Sequence, residues 1–321
     1  MSKHVMTGLV LVLGVSAFVA GPAQADDFPS KPITLIAPNN PGTNPDTVAR
    51  IMAAGMSKVL GQPIIVQNKP SSNGIIGYGY VAKQVPADGY TLVTASVNEL
   101  ASLKVVSKDL NFEPLKDLTP IIDLSEGRNV LGSYSGEPWK SFTEMVAYAK
   151  AHPGQLNYGS PGANVRIPME AILRSYGIKV AYIPYSGGGP YLLAVSSGEV
   201  QMGMMGDSSA ATMGDRFRVL AITGDERRPP FQDVPTFKEL GHPEIPSLVY
   251  SLNVTTGTPK AVIDKLHAAA EQALQQPDVK ERFKKVGMEV VGGSEEASAT
   301  RLAKVGELFS DTAAQVGIKP E

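Results

Sequence analysis

The sequence predicts a protein of the α/β class, built from parallel sheets covered by helices. Short apolar runs typical of strands, such as 33–37 and 90–95, alternate with apolar residues at helical spacing. Strands interleaved with helices favour parallel sheets that are buried on both faces. A length of 321 residues suits two domains better than one.

Two stretches interrupt this alternation, and each is a natural place for the chain to leave one domain and return to it. The segment 103–139 is rich in loop residues, and the segment 227–246 holds five prolines. The sequence therefore predicts a discontinuous domain I, residues 26–102 and 224–321, around a domain II of residues 103–223.

The first 25 residues have the composition of an export signal. Lys3 and His4 precede an almost unbroken apolar run, 5–20, and Ala23 and Ala25 are the small residues that a signal peptidase recognises. A retained membrane anchor is the alternative, but the run is short for a span. Cleavage after Ala25 and a periplasmic location are therefore predicted.

Composition and missing motifs exclude several classes of function. Lys and Arg total 29 against 31 Asp and Glu, a net charge of −2 that gives no reason to expect nucleic acid or an anionic membrane as partner. The lack of cysteine excludes disulfides, thiolate nucleophiles and cysteine metal sites. Neither a Walker A loop nor a Gly-x-Gly-x-x-Gly run occurs, so no cofactor and no metal are predicted.

The loop 38–47 follows the first predicted strand and precedes a helix, an arrangement that suits an anion. A helix that begins near Asp46 leaves its first backbone N–H groups without partners and carries partial positive charge there. Gly42 permits close approach of the backbone. The uncharged hydrogen-bonding residues of this loop are Asn39, Asn40, Thr43, Asn44 and Thr47. A carboxylate fits such a site, and the alternative is a loop that merely caps the helix.

A second loop, 158–166, has the same arrangement between a strand and a helix. Arg166 adds a planar guanidinium suited to bidentate carboxylate pairing, or it simply solvates the helix start. We expect the two loops to face each other across a cleft between the domains. The groups of the second loop that can hold another polar end of a ligand are Ser160, Asn164 and the backbone N–H groups near Gly162 and Ala163.

A series of motifs extends over about residues 28–318 in a fixed order. It includes APNNPG, PDTVAR, PADGYTL, LNYGSPG, YIPYSGGGP and SGEVQM. On these motifs the sequence resembles the extracytoplasmic solute-binding receptors of tripartite tricarboxylate transporters, often called the Bug family. The resemblance implies a periplasmic-binding-protein (Venus-flytrap) fold, in which two α/β domains joined by crossing hinge strands close over one ligand.

In that family the two loops clamp a carboxylated ligand, partly through backbone amides. The resemblance carries these contacts, by position, to Asn39, Gly42, Thr43, Asp46 and Thr47 in the first loop and to Ser160, Gly162, Ala163 and Asn164 in the second. Ser96, Asn98 and Tyr185 are further cleft candidates in the family pattern, and for Tyr185 a packing role is an equal alternative.

The chain departs from the family pattern at three places in the predicted site. Asn39 stands where an aromatic residue is common, and Thr43-Asn44 replace a Gly-Gly pair. The second loop has Ala-Asn-Val-Arg at 163–166 where Asn-Gly-Ser is frequent. Asp207 follows Met-Gly where Asp-Asn is more usual, which leaves its register open. These changes leave the identity of the bound carboxylate open.

The residues and the resemblance together predict a monomeric receptor that binds a small carboxylate without chemistry and delivers it to integral-membrane permease subunits. Aliphatic and aromatic dicarboxylates, terephthalate among them, are favoured. An exported carboxylate-ester hydrolase of α/β fold is the alternative, but His152, His242 and His267 fit no catalytic pattern. A structural or adhesive role is a third class, and it predicts no stabilisation by a ligand.

Overall fold

The computed structural model describes residues 28–242 and 245–320, so the predicted export signal, residues 1–25, lies outside the described residues. The strands of this part of the chain are β1 Ile33–Ala37, β2 Ile64–Asn68, β3 Thr91–Ser96, β4 Leu118–Gly127, β5 Asn129–Tyr134, β6 Asn157–Ser160, β7 Ala181–Pro184, β8 Met202–Gly206, β9 Phe217–Ile222, β10 Leu248–Thr255 and β11 Glu289–Val290.

Helices follow most of these strands, as the alternating pattern predicts. They are α1 Asn44–Leu60, α2 Ile75–Lys83, α3 Val97–Val106, α4 Pro114–Asp117, α5 Phe142–Ala151, α6 Ala163–Ser175, α7 Gly188–Ser197, α8 Asp207–Met213, α9 Lys260–Gln275, α10 Pro277–Lys285 and α11 Glu295–Val316. Within the described ranges, none of these helices combines the length and the apolar character that a membrane crossing requires.

The strands form two sheets, which confirms the predicted α/β class. The first sheet has the order β11-β4-β10-β3-β1-β2, and the second has the order β7-β6-β8-β5-β9. Strands β1, β2 and β3 run parallel, as do β6, β7 and β8. Both sheets are mixed and not purely parallel as predicted, because β10 and β5 lie antiparallel to their neighbours.

The chain changes sheet twice, once at Arg128 between β4 and β5 and once in the segment 223–247 between β9 and β10. The sequence placed residues 103–127 in domain II, whereas β4 belongs to the first sheet. Eight of its ten residues are buried, and it pairs with β10 along its length. We therefore propose that the domains change at Arg128 and within 223–247.

The two crossing segments are joined by buried hydrogen bonds. The backbone N–H of Asn129 donates to Thr223 Oγ1 at 2.9 Å, and the Thr223 N–H donates to the Asn129 carbonyl at 2.9 Å. Asn129 Nδ2 also donates to the Pro246 carbonyl at 3.0 Å. Any movement of one sheet relative to the other therefore acts on this pair of segments.

Helix α6 connects the second sheet to the helices of the first. Its residues Ala163 and Ile167 are buried in the same apolar cluster as Val97 of α3 and Leu302 and Phe309 of α11. Complete burial of an isoleucine side chain such as Ile167 contributes about 1.5–3 kcal/mol. This packing places the start of α6, and with it the second loop, against the first domain.

Candidate functional site

The predicted site segments all follow the carboxyl ends of parallel strands. The loop 38–47 follows β1, and α3 begins directly after β3. The short turn Ser72–Gly74, which was not predicted as part of the site, follows β2. In the second sheet, the segment predicted as the loop 158–166 consists of the end of β6, a short turn at 161–162 and the first turn of α6, and Asp207 follows β8. Ligands of α/β proteins bind at this edge of a sheet, where strand ends and helix starts converge.

The first loop is held by the carboxylate of Asp46, which is 2% exposed. Its Oδ2 accepts from the Gly42 N–H at 2.9 Å and from Arg50 Nε at 3.0 Å, and its Oδ1 accepts from Asn68 Nδ2 at 2.8 Å. Burial alone would raise the pKa of Asp46, but hydrogen bonds from Arg50, Gly42 and Asn68 hold it below the ordinary value. Gly42 adopts φ +84°, which favours glycine.

Asp46 and the Gly42 N–H are therefore engaged within the loop and not directed at a ligand. This is a correction to the predicted contacts, and its reason is that a buried carboxylate must find donors nearby. Thr43 and Asn40 are also joined to each other, since Thr43 Oγ1 donates to the Asn40 carbonyl at 2.7 Å. These bonds give the exposed loop a defined shape.

Asn44 and Thr47 lie on the side of the first loop that faces the second sheet. With Gly42, Asp207 and Ser208 they line an open cleft of about 670 Å³. Asn44 Oδ1 accepts a hydrogen bond from Ser208 Oγ at 3.4 Å. This bond connects the segment after β1 of the first sheet to the segment after β8 of the second. Ser208 was not predicted as a site residue. Its position directly after the predicted residue Asp207, at the start of α8, could have indicated it.

The second loop has a braced turn before α6. Ser160 is fully buried, and its Oγ donates to the Gly162 carbonyl at 2.5 Å and accepts from the Gly162 N–H at 3.1 Å. The next two N–H groups, those of Ala163 and Asn164, have no hydrogen-bond partner in the described part of the chain. These N–H groups lie at the helix start where the sequence predicts an anion site.

Gly162 of the second loop touches Asn73 of the first domain. A Cβ added at Gly162 would lie 2.7 Å from Asn73 Oδ1, so a larger residue would have to displace the Asn73 side chain. Asn73 adopts φ +51° in the turn after β2. The same turn leads into α2, where Gly77 packs against Pro38 of the first loop. Both loops therefore border the turn Ser72–Gly74. This turn was not predicted as part of the site, although its Asn-Gly pair is a turn signal.

Arg166 presents a cation beside this contact. Its guanidinium carbon lies 4.2 Å from the centroid of the Tyr182 ring, and its buried Nε has no hydrogen-bond partner within residues 28–242 and 245–320. With Asn73, Gly162 and Lys319 it lines a pocket of about 460 Å³ bounded by both domains. The second loop thus offers a guanidinium and two backbone donors to an acceptor.

Comparisons with known proteins show which family has this architecture. The family model of the tripartite tricarboxylate transporter family receptor matches residues 48–307. The chain belongs to this family. Its members are periplasmic solute-binding receptors and not enzymes, so the hydrolase alternative is set aside. The Cupriavidus necator UPF0065 protein in the gbd 5' region is 35% identical over 282 residues, covering 86% of this chain and 84% of that protein.

Solved structures agree with the predicted two-domain fold. An R. palustris protein with adipate has a TM-score of 0.82 and 27% identity, covering 92% of this chain and all of that one. MatC from Rhodopseudomonas palustris with bound malate has a TM-score of 0.77 and 29% identity, covering 89% and 99%. The periplasmic-binding-protein fold that the sequence predicts is therefore confirmed.

Three other predicted residues of the receptor serve its internal structure. Ser96 is the N-cap of α3. Asn98 is fully buried, and its Nδ2 donates to the Ser247 carbonyl in the second crossing segment at 3.2 Å. Tyr185 donates to Glu199 at 2.9 Å and packs beside Tyr191, which is the packing alternative. Each of these side chains thus has a hydrogen-bond partner within the protein, although the buried Oδ1 of Asn98 has none in the described part of the chain.

Asp207 of the receptor lies beside the first crossing. It is 8% exposed, its N–H donates to the Arg128 carbonyl at 2.9 Å, and its Oδ1 accepts from the Ser208 N–H at 2.8 Å. Burial raises the pKa of Asp207 to about 6, and the hydrogen bonds from the backbone oppose that rise only in part. This carboxylate faces Gly287 of the first domain.

Proposed function

We propose that this receptor captures a small dicarboxylate between its two domains and delivers it to the permease subunits of a tripartite tricarboxylate-type transporter. The observation that carries the proposal is the set of unpartnered donors at the domain boundary in the described part of the chain: the N–H groups of Ala163 and Asn164 and the Nε of Arg166. The relatives solved with adipate and with malate support it, since both ligands are dicarboxylates.

These donors supply a large part of the affinity. A hydrogen bond to a charged group contributes about 1.5–3 kcal/mol, and a helix N-terminus adds about 0.3–1 kcal/mol. Three such bonds give about 5–10 kcal/mol before the cost of immobilising the ligand, so micromolar binding, at about 8 kcal/mol, also needs contacts from the first domain. A pocket of about 460 Å³ admits both aliphatic dicarboxylates and aromatic ones such as terephthalate.

Binding and release follow from the two crossings. The ligand stabilises a closed arrangement because it contacts loops of both domains, and the movement takes place at Arg128 and within 223–247. Asn44 and Asn73 of the first domain already contact the loops of the second. The closed form is the one that a permease would recognise.

Calorimetry with paired ligands tests the proposal. We expect adipate and terephthalate to bind, and Arg166→Ala to weaken each of them about 10–100-fold, the loss of one hydrogen bond to a charged group. The monocarboxylate analogues hexanoate and benzoate should lose far less. Arg216→Ala, which removes an exposed arginine of the same domain, is the matched control. Equal losses for mono- and dicarboxylates would show that Arg166 does not hold the second carboxylate.

We also propose that the protein is exported to the periplasm, is cleaved after Ala25, and acts as a monomer. The apolar run before Ala23 supports export. Mass spectrometry of the protein from a periplasmic fraction should show a mature N-terminus at Asp26. Light scattering should give the mass of one chain with and without ligand.

A further inference from the structure

The pocket of about 460 Å³ at the domain boundary is lined by one cation from each domain. Arg166 belongs to α6 of the second domain, and Lys319 follows α11 of the first. None of the described residues that line this pocket is acidic, and neither cation forms an ion pair within residues 28–242 and 245–320. Two like charges that face one pocket repel each other, so the pocket favours an anion between them.

The backbone that carries Lys319 is held in place by the end of α11. This helix ends at Val316, and the following Gly317 adopts φ +76°. The N–H groups of Gly317 and Ile318 both donate to the Ala313 carbonyl, that of Ile318 at 2.9 Å. The Ile318 side chain is buried in the apolar cluster that α11 forms with α3, as is usual after such a helix end. Lys319 therefore follows directly on an anchored residue at the edge of the pocket.

The guanidinium of Arg166 is positioned by the second domain. Its central carbon lies 4.2 Å from the centroid of the Tyr182 ring, a cation–π contact that orients the charge without neutralising it. Further along α6, Arg174 donates to the Gln315 carbonyl near the end of α11. The helix that carries Arg166 and the helix end that precedes Lys319 are thus joined directly.

Much of the remaining pocket wall is apolar. Ile75, Leu103 and Val106 come from the first domain, and Pro184 comes from the second. Charges beside an apolar wall are screened less than charges in bulk water, so both the repulsion between the two cations and their attraction to an anion are stronger there. The same wall offers contact to the hydrocarbon body of a ligand.

We propose that Lys319 and Arg166 make closure of the receptor depend on the number of charges on the ligand. This inference rests on the proposed function, since one carboxylate must bind the N–H groups of Ala163 and Asn164 and the other must lie beside Arg166. The second carboxylate is then attracted by Lys319 from the opposite domain, which stabilises closure. A monocarboxylate leaves the two cations facing each other, so it binds without stabilising closure.

Calorimetry with ligands of different charge tests the role of Lys319. Lys319→Ala should weaken terephthalate and adipate about tenfold and leave benzoate and hexanoate within about threefold of the wild type. Monomethyl terephthalate, which keeps the ring and loses one charge, should behave like benzoate. Lys319→Arg retains the charge and should retain most of the affinity. Lys304→Ala, which removes an exposed lysine of α11 that lines a different surface cleft, is the matched control.

Fluorescence energy transfer measures closure directly. The chain has no cysteine, so Ala54→Cys on α1 and Ala151→Cys on α5, both exposed, allow one label on each domain. Saturating terephthalate should change the transfer efficiency, and saturating benzoate should leave it near the value without ligand. With Lys319→Ala added, the receptor without ligand should already show part of the change. Raising the salt concentration from about 0.02 M to about 0.5 M should reduce this effect of Lys319→Ala, because salt screens the repulsion.

Two kinds of result overturn the inference and are distinguishable from each other. If Lys319→Ala behaves like Lys304→Ala, if it weakens terephthalate and benzoate alike, or if both ligands close the receptor equally, Lys319 plays no part in closure. The proposed function then stands, because the wild type still binds dicarboxylates. If neither adipate nor terephthalate binds the wild type, the proposed function fails, and the inference fails with it. Circular dichroism melting curves verify that each variant is folded.

Discussion

Two buried carboxylates, Asp46 and Asp207, have opposite effects on the stability of the receptor. Asp46 accepts from Gly42, Arg50 and Asn68, so folding favours its charged form. The hydrogen bonds that the backbone donates to Asp207 offset only part of the cost of burying its charge, so folding favours its protonated form. The pH dependence of stability therefore contains two contributions of opposite sign.

Asp207→Asn should stabilise the protein above pH 7. The pKa of Asp207 is about 6 in the folded state, above the ordinary 3.8, so the wild type loses stability as pH rises through this interval. Two pKa units correspond to about 3 kcal/mol. We expect the variant to be more stable than the wild type by about this amount at pH 8, and equally stable at pH 4. Urea unfolding at both pH values measures the difference, with the exposed Asp215→Asn as control. A gain of the same size at both values would contradict the prediction.

Asp46→Asn should destabilise the protein at neutral pH. The variant cannot offer a charged acceptor to Gly42, Arg50 and Asn68, so the free energy of unfolding should fall by about 1.5–3 kcal/mol at pH 7. Since the pKa of Asp46 is lowered on folding, the difference from wild type should shrink as pH falls below 3.8 through the folded pKa. Asp278→Asn, in an exposed ion pair with Lys58, should cost far less. A loss that does not depend on pH would refute the electrostatic explanation.

At the scale of elements, the start of α6 connects packing with recognition. Its first turn is buried against α3 and α11, while the N–H groups of Ala163 and Asn164 stay unpartnered in the described chain. The preceding Gly162 lets Asn73 approach from the first domain. The lack of a side chain at Gly162 therefore leaves room for the Asn73 side chain at the cleft.

Gly162→Ala should weaken dicarboxylate binding about tenfold, roughly 1.4 kcal/mol, because the new Cβ would displace the Asn73 side chain. Stability should change little, since φ 175° is extended backbone that alanine also adopts. Gly306→Ala, in α11 with no atom closer than 4.0 Å to the added Cβ, is the matched control for calorimetry. In an Asn73→Ala background the Gly162→Ala effect should vanish, and an unchanged effect there would exclude the proposed contact.

At the scale of the whole molecule, the two domains share both an apolar contact and a polar cleft. Helix α6 packs on α11 through Ile167, and Arg174 donates to the Gln315 carbonyl of the same helix. The ends of α3 and α6 that face the cleft carry the polar groups. The proposed movement at Arg128 and within 223–247 would therefore also act on this contact between α6 and α11.

A bound dicarboxylate should stabilise the whole receptor. At a ligand concentration 100 times the dissociation constant, the free energy of unfolding should rise by about 2.7 kcal/mol, because the ligand binds only the folded state. A thermal-shift panel of mono-, di- and tricarboxylates measures this gain. A structural or adhesive protein would show no shift in melting temperature with any of the acids. That result would contradict the proposal that this protein binds a dicarboxylate.

The sequence by itself determined the class of fold and the places where polar loops interrupt it. Alternating apolar runs located β1 and β3, and the polar segments 38–47 and 158–166 lie where β1 and β6 end and α1 and α6 begin. These features are local, because strand and helix periodicity and turn residues act over a few positions.

Only the tertiary structure decided which residues meet. It assigned β4 to the first sheet, joined Asp46 to Gly42 and Asn68, and brought Asn73 to Gly162. It also turned Glu99 away from its helix toward Asn39. Each of these depends on a partner distant in sequence or on competition between nearby donors, and side-chain hydrogen bonds of that kind leave no periodic trace in the chain.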